Sequence, residues 1–217
     1  MSGNPALTPA LPPDWERLLA ELDGDELVAA AARLAERLLG DLHPRWEHTS
    51  AVAARAAAGT AAVAPADRAT LVAAAWLHDV GYAVPVRRTG FHPVDGADHL
   101  RAQGWDPLVS SLVAHHSGAR FVARVRGLEA ELAPHDHPRA VEGALADALT
   151  WADQTTSATG EVVDVEERLA DVLRRHGPDS PNARCHHLRG PAVRGAVQRT
   201  EQRLRRAHER GAPAPRG

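Results

Sequence analysis

Apolar residues recur along this chain at intervals of three and four, and strict alternation is almost absent. That pattern predicts helices rather than strands. In DELVAAAARLAERLLGDL, which begins at Asp25, the positions Leu27, Leu34, Leu38 and Leu39 lie near one face and Gly40 marks the stop. The next segments open on proline and close on glycine: Pro44 to Gly59, Pro65 to Gly81, Pro93 to Gly104 and Pro107 to Gly118. Proline's restricted φ and missing N–H suit a first helical turn, and glycine suits the exit. Further helices are expected across 119–133, 138–160, 163–177 and 191–210.

No internal repeat or linker interrupts this series, so the fold class read from it is all-α, with one helical domain over residues 14–210. The proline-rich residues 1–13 and the terminal GAPAPRG, 211–217, are expected to be disordered. Composition narrows the picture further. Alanine dominates the apolar set and aromatic residues are only 4%, so the helices should pack closely. No run approaches the length of a membrane span and no basic-then-apolar leader opens the chain. A cytoplasmic protein with no membrane partner is expected. The single cysteine, Cys185, can form no internal disulfide, which fits a reducing compartment. The net charge of −3 argues against broad nucleic-acid binding. The chain has no lysine, which excludes a P-loop lysine, a Schiff base and a lysine general base.

Candidate chemistry lies in the histidines. His48 sits inside the Pro44–Gly59 helix, His78 and Asp79 close the next one, and Asp153 falls late in a helix much further on. Three crossing helices could bring two imidazoles and two carboxylates together. Such a mixed nitrogen and oxygen set suits a divalent transition metal, Fe, Mn, Zn, Co or Ni, without selecting one. The order H…HD…D, the wording LHDVGY around the pair and the helical AD downstream resemble the HD superfamily of metal-dependent phosphohydrolases, over roughly residues 40–160. The resemblance implies a single HD-type helical bundle with Asp79 as the catalytic residue. It also implies a first ion held by His48, His78, Asp79 and Asp153. By the same likeness, to HDIG and HD-GYP members, a second ion would share Asp79 and take His92, His115 and His116. Adjacent helical residues point about 100° apart, so His115 alone is the expected ligand of that step unless the helix ends there, which Gly118 allows.

Those relatives carry a lysine two residues after the HD aspartate. Here Gly81 stands there, followed by Tyr82, and the GYP motif is missing too. Both departures argue against cyclic-dinucleotide hydrolysis. Substrate charge would then fall to Arg87, Arg88 and Arg120, the arginines near the motifs, since guanidinium suits bidentate phosphate binding. The substrate class implied is a nucleotide or other small phosphate mono- or diester. Two alternatives remain open at this point, a dinuclear-iron oxygenase of the same superfamily and a non-catalytic nucleotide-binding regulator. RCHHLRG and PHDHPR read as loops, Trp46, Trp76 and Trp151 as core, and Arg199, Arg203, Arg206 and Arg210 as a solvated helix face.

Overall fold

The structure is a computed structural model that describes residues 26–211. The lead-in expected at 1–13 lies outside them, as does the tail expected at 211–217 apart from Gly211. Helices account for the architecture, and no strand occurs among the described residues; one isolated bridge joins Thr156 to Val162. In chain order they are α1 (Glu26–Leu39), α2 (Arg45–Ala58), α3 (Arg68–Leu77), α4 (His92–Ala102), α5 (Pro107–His115), α6 (Ala119–Arg126), α7 (Glu129–Leu132), α8 (Pro138–Val141), α9 (Ala144–Gln154), α10 (Val165–His176) and α11 (Pro181–Gly211).

Helix α3 is the axis of the bundle. From Leu71 to Leu77 every residue is buried, as expected of a helix apolar on all sides. Helices α1, α2, α5 and α9 pack around it, and α11 lies along α9. Alanines at 73, 74 and 75 let the neighbours approach, and Trp76 fills the remaining space, stacked on Trp46 at 5.7 Å between centroids. A smaller apolar cluster of Phe91, Val94, Val122, Leu132 and Cys185 joins α4, α6 and α11. No helix among the described residues is long and apolar enough to cross a membrane.

Three segments depart from the periodicity. The helix expected over 119–133 breaks at Gly127, whose φ of 67° belongs to the left-handed region. The one expected over 138–160 is interrupted at Gly143, φ 118°, and ends at Gln154. The last helix starts ten residues early, at Pro181, and runs through Pro191. RCHHLRG is therefore helical and not a loop. Its inward positions Cys185 and Arg189 continue as Val193, Ala196 and Thr200. Proline removes one backbone bond and disfavours a helix interior, and burial of that continuous face outweighs it.

Candidate metal centre

Helix ends and first turns supply the site. His48 projects from the first turns of α2, and Arg45 precedes it by nearly one turn. His78 caps α3, and Asp79 opens the 3₁₀ turn Val80–Tyr82. That turn must touch the start of α4: a Cβ on Gly81 would stand 2.0 Å from the His92 carbonyl oxygen. Glycine at 81 is thus what lets His92, the first residue of α4, approach Asp79. Asp153 is the penultimate residue of α9. Helix α5 ends at His115, and His116 leaves it at φ −54°, ψ 147°, followed by left-handed Ser117 (φ 52°) and Gly118 (φ 74°).

The ligand atoms of His48, His78 and Asp153 lie within 4.8 Å of one another, and so do those of Asp79, His92 and His116. Asp79 divides its oxygens between the two sets. Its Oδ2 is 3.4 Å from His78 Nε2 and 3.9 Å from His48 Nε2, while Oδ1 is 3.2 Å from His92 Nε2. His48 Nε2 stands 3.1 Å from Asp153 Oδ1, and the Nε2 atoms of His92 and His116 are 3.3 Å apart.

The far side of each ring determines what these atoms can hold. His48 Nδ1 donates to the Ser157 carbonyl at 2.8 Å, His78 Nδ1 to Ala75 at 2.7 Å and His116 Nδ1 to Val113 at 2.7 Å. A carbonyl only accepts, so in each neutral ring the proton sits on Nδ1 and Nε2 presents a bare lone pair to the centre. His78 Nε2 has no hydrogen-bond partner among the described residues. Lone pairs of imidazole and carboxylate therefore converge with too few protons between them. A cation bridges such pairs, and backbone-anchored Nδ1 atoms are how metal-binding imidazoles are oriented. The residues fit a metal: partners bound near 2.0–2.2 Å to one ion stand about 3–4 Å apart.

Electrostatics agree with that fit at three of the four imidazoles. Burial pushes His48 and His116 below the usual imidazole range, and His92 well below it. His78 is the exception: burial is the largest single effect and lowers it, but Asp79 together with Asp153 and the Ala75 carbonyl carries the net shift upward. Burial also resists ionisation of Asp79, yet His78 and Arg45 hold its carboxyl well below the ordinary range. Asp153 is likewise held well below by His48, His78 and Arg168 against the effect of burial. Ser117 Oγ and Gln154 Nε2 both donate to Asp153 Oδ2, the latter at 2.8 Å.

A family model described as HD domain matches residues 45–152. This is an HD-domain protein. The comparisons with curated proteins and with solved structures each gave no match. The HD segment ends just before Asp153, so α10 and α11 lie beyond it.

The structure brings together His48, His78, Asp79, His92, His116 and Asp153. It leaves out His115, which corrects the expectation that His115 is the ligand of the pair. The helix ends at His115, whose ring turns to the opposite side and meets Asp136 at 3.0 Å, while His116 faces inward. The arginine assignment is corrected too. Arg87 donates to the Tyr82 carbonyl at 3.0 Å, Arg88 pairs with Asp98, and Arg120 stands 3.7 Å from Glu142. All three are absent from the lining of the cavity over the centre. Arg45 is there instead: Nη1 donates to Asp79 Oδ2 at 2.5 Å, and the guanidinium lies over Tyr82 at 4.1 Å, with Tyr82 stacked on His92 at 4.1 Å. Sequence reading missed Arg45, Ser117 and Gln154. Spacing could have found Arg45, one helical turn before His48; the other two adjoin His116 and Asp153.

Proposed function

We propose that this HD-domain protein is a phosphohydrolase, dependent on one or two divalent transition-metal ions, acting on a nucleotide or other phosphate mono- or diester. The observation that carries the reading is the convergence of six imidazole and carboxylate ligands, with Nδ1 atoms tied to backbone carbonyls, beside the guanidinium of Arg45. Asp79 belongs to both halves of the set and is the residue on which the reading depends most. Once bound, such ions polarise phosphoryl oxygens and lower the pKa of water.

The chain's own groups do the rest. Arg45 supplies fixed positive charge to the equatorial oxygens of a transferring phosphoryl group, the role a lysine cannot fill here. Burial and the Asp79 charge push the Tyr82 phenol up to about 12, so it stays protonated at neutral pH, holds Arg45 and His92 by stacking, and is no base. Hydrolysis forms one P–O bond from water and breaks one to the ester oxygen, which leaves with a proton. A buried free Cys185 fits a cytoplasmic setting for this chemistry.

The test is phosphate release from p-nitrophenyl phosphate, bis-p-nitrophenyl phosphate and a nucleotide panel, after loading with Fe, Mn, Zn, Co or Ni in turn. Turnover by the native protein that vanishes in Asp79→Ala supports the reading. Full metal content without turnover of any ester overturns it in favour of binding without hydrolysis.

A further inference from the structure

The cavity over the metal centre has a volume of about 590 Å³, much more than one phosphoryl group fills and within the range of small-molecule sites. Part of its wall comes from α10 and α11, outside the HD segment. That wall holds two buried arginines, one bonded only to neutral acceptors and one with N–H groups left unbonded. Arg189 is buried and donates to the Ser117 carbonyl at 2.9 Å and to Gln154 Oε1 at 3.2 Å, both neutral, with no carboxylate among the described residues paired to it. Arg168 is also buried; it forms long ion pairs with Asp153 and Asp171, each at 3.6 Å, and its Nε and Nη1 lack hydrogen-bond partners among the described residues. Asp171 is shared with Arg174 at 2.5 Å and Arg175 at 2.7 Å, one carboxylate among three guanidiniums. Arg126, across the cavity, donates to the carbonyls of Gly90 and Thr89.

A buried guanidinium without an ion-pair partner is costly, and unmade N–H bonds add to that cost. An anion entering the cavity removes both penalties. Of the carboxylates lining this cavity, Asp79 is bonded to Arg45 and Asp153 is shared between His48 and Arg168, so they offset this wall only in part. We propose that Arg168, Arg175 and Arg189 form a second anion subsite, so that the substrate bears at least two phosphoryl groups, one at the metal centre and another against α10 and α11. This deepens the phosphohydrolase reading and rests on it.

Calorimetric titration with inorganic tripolyphosphate and with orthophosphate, at fixed free metal-ion activity, tests the subsite without turnover. Tripolyphosphate should bind the native protein at least about tenfold more tightly, the gain expected of one added charge-assisted contact. Arg189→Gln and Arg175→Ala should each erase most of that preference, and Arg175→Ala should leave orthophosphate binding within about twofold. Arg175 lies at the surface, so its variant keeps the fold even where a change at buried Arg189 does not. Equal affinity for the two anions, or variants that lose both equally, overturns the subsite. Turnover of p-nitrophenyl phosphate without any tripolyphosphate preference sinks the subsite alone; the preference without turnover of any ester sinks hydrolysis alone.

Discussion

Two cavities of nearly equal volume, about 590 and 560 Å³, flank the kink between α5 and α6, and both are rich in arginine. In the second, every lining guanidinium has a carboxylate partner. Asp147 accepts from Arg199 at 2.6 and 2.9 Å and from Arg203 at 2.8 Å, Arg120 faces Glu142, and His115 faces Asp136. In the first, imidazole lone pairs meet carboxylates, and Arg189 meets only neutral acceptors. Neither volume nor arginine count separates a binding site from a scaffold here. Unmatched groups do, because leaving them so is costly unless a ligand arrives.

The sharpest break between the cavities comes from their central carboxylates. Asp79→Ala should abolish both metal retention and hydrolysis, while Asp147→Ala keeps both; elemental analysis and a rate assay on the two variants decide it. The neighbouring histidines repeat the contrast within one peptide bond. His116→Ala should weaken metal binding by more than about a hundredfold, beyond the 10–100-fold typical of groups that merely support a ligand. His115→Ala should leave metal affinity unchanged in a competition titration against a chelator. Arg45→Ala should lower kcat/KM about 10²-fold, as loss of one charge-stabilising donor does, with metal content intact. The Arg87→Ala and Arg88→Ala double variant should match the native rate. The smallest effect is structural. Asp147→Ala leaves Arg199 and Arg203 unpaired, and since both guanidiniums are partly solvated the cost should be only about 1–2 kcal/mol, read as a lowered unfolding midpoint. A midpoint that does not move would mean the second cavity's charge matching contributes nothing to the fold.

His48 and the His78–Asp79 pair were legible in the sequence because proline and glycine bracket their helices; Asp153 was legible from the order H…HD…D and its AD step, although its helix spans only Ala144–Gln154 of the expected 138–160. The choice between His115 and His116 was not. It depends on where α5 ends, and the left-handed pair Ser117–Gly118 puts that end one residue before His116. Arg45 carried a local signal, its one-turn spacing from His48, whereas Arg87 and Arg88 were favoured for sequence proximity to a motif whose turn points them outward. Arg168 and Arg189 carried no local signal. They are ordinary members of arginine-rich helices until the packing of α10 and α11 brings them beside Asp153 and Gln154. Pro191 hid the true start of α11, although the inward spacing from Cys185 to Thr200 runs through it unbroken.

Tyr82 is the sole tyrosine of the chain, and it lies flat against His92 with 20° between the rings and a guanidinium on its other face. Metabolic incorporation of fluorotyrosine therefore places a single magnetic nucleus over the candidate ligand cluster, with no assignment problem. Its chemical shift should move in slow or fast exchange as ions are titrated in. The protein thus contains its own spectroscopic gauge of site occupancy, one that needs neither a substrate nor a turnover assay.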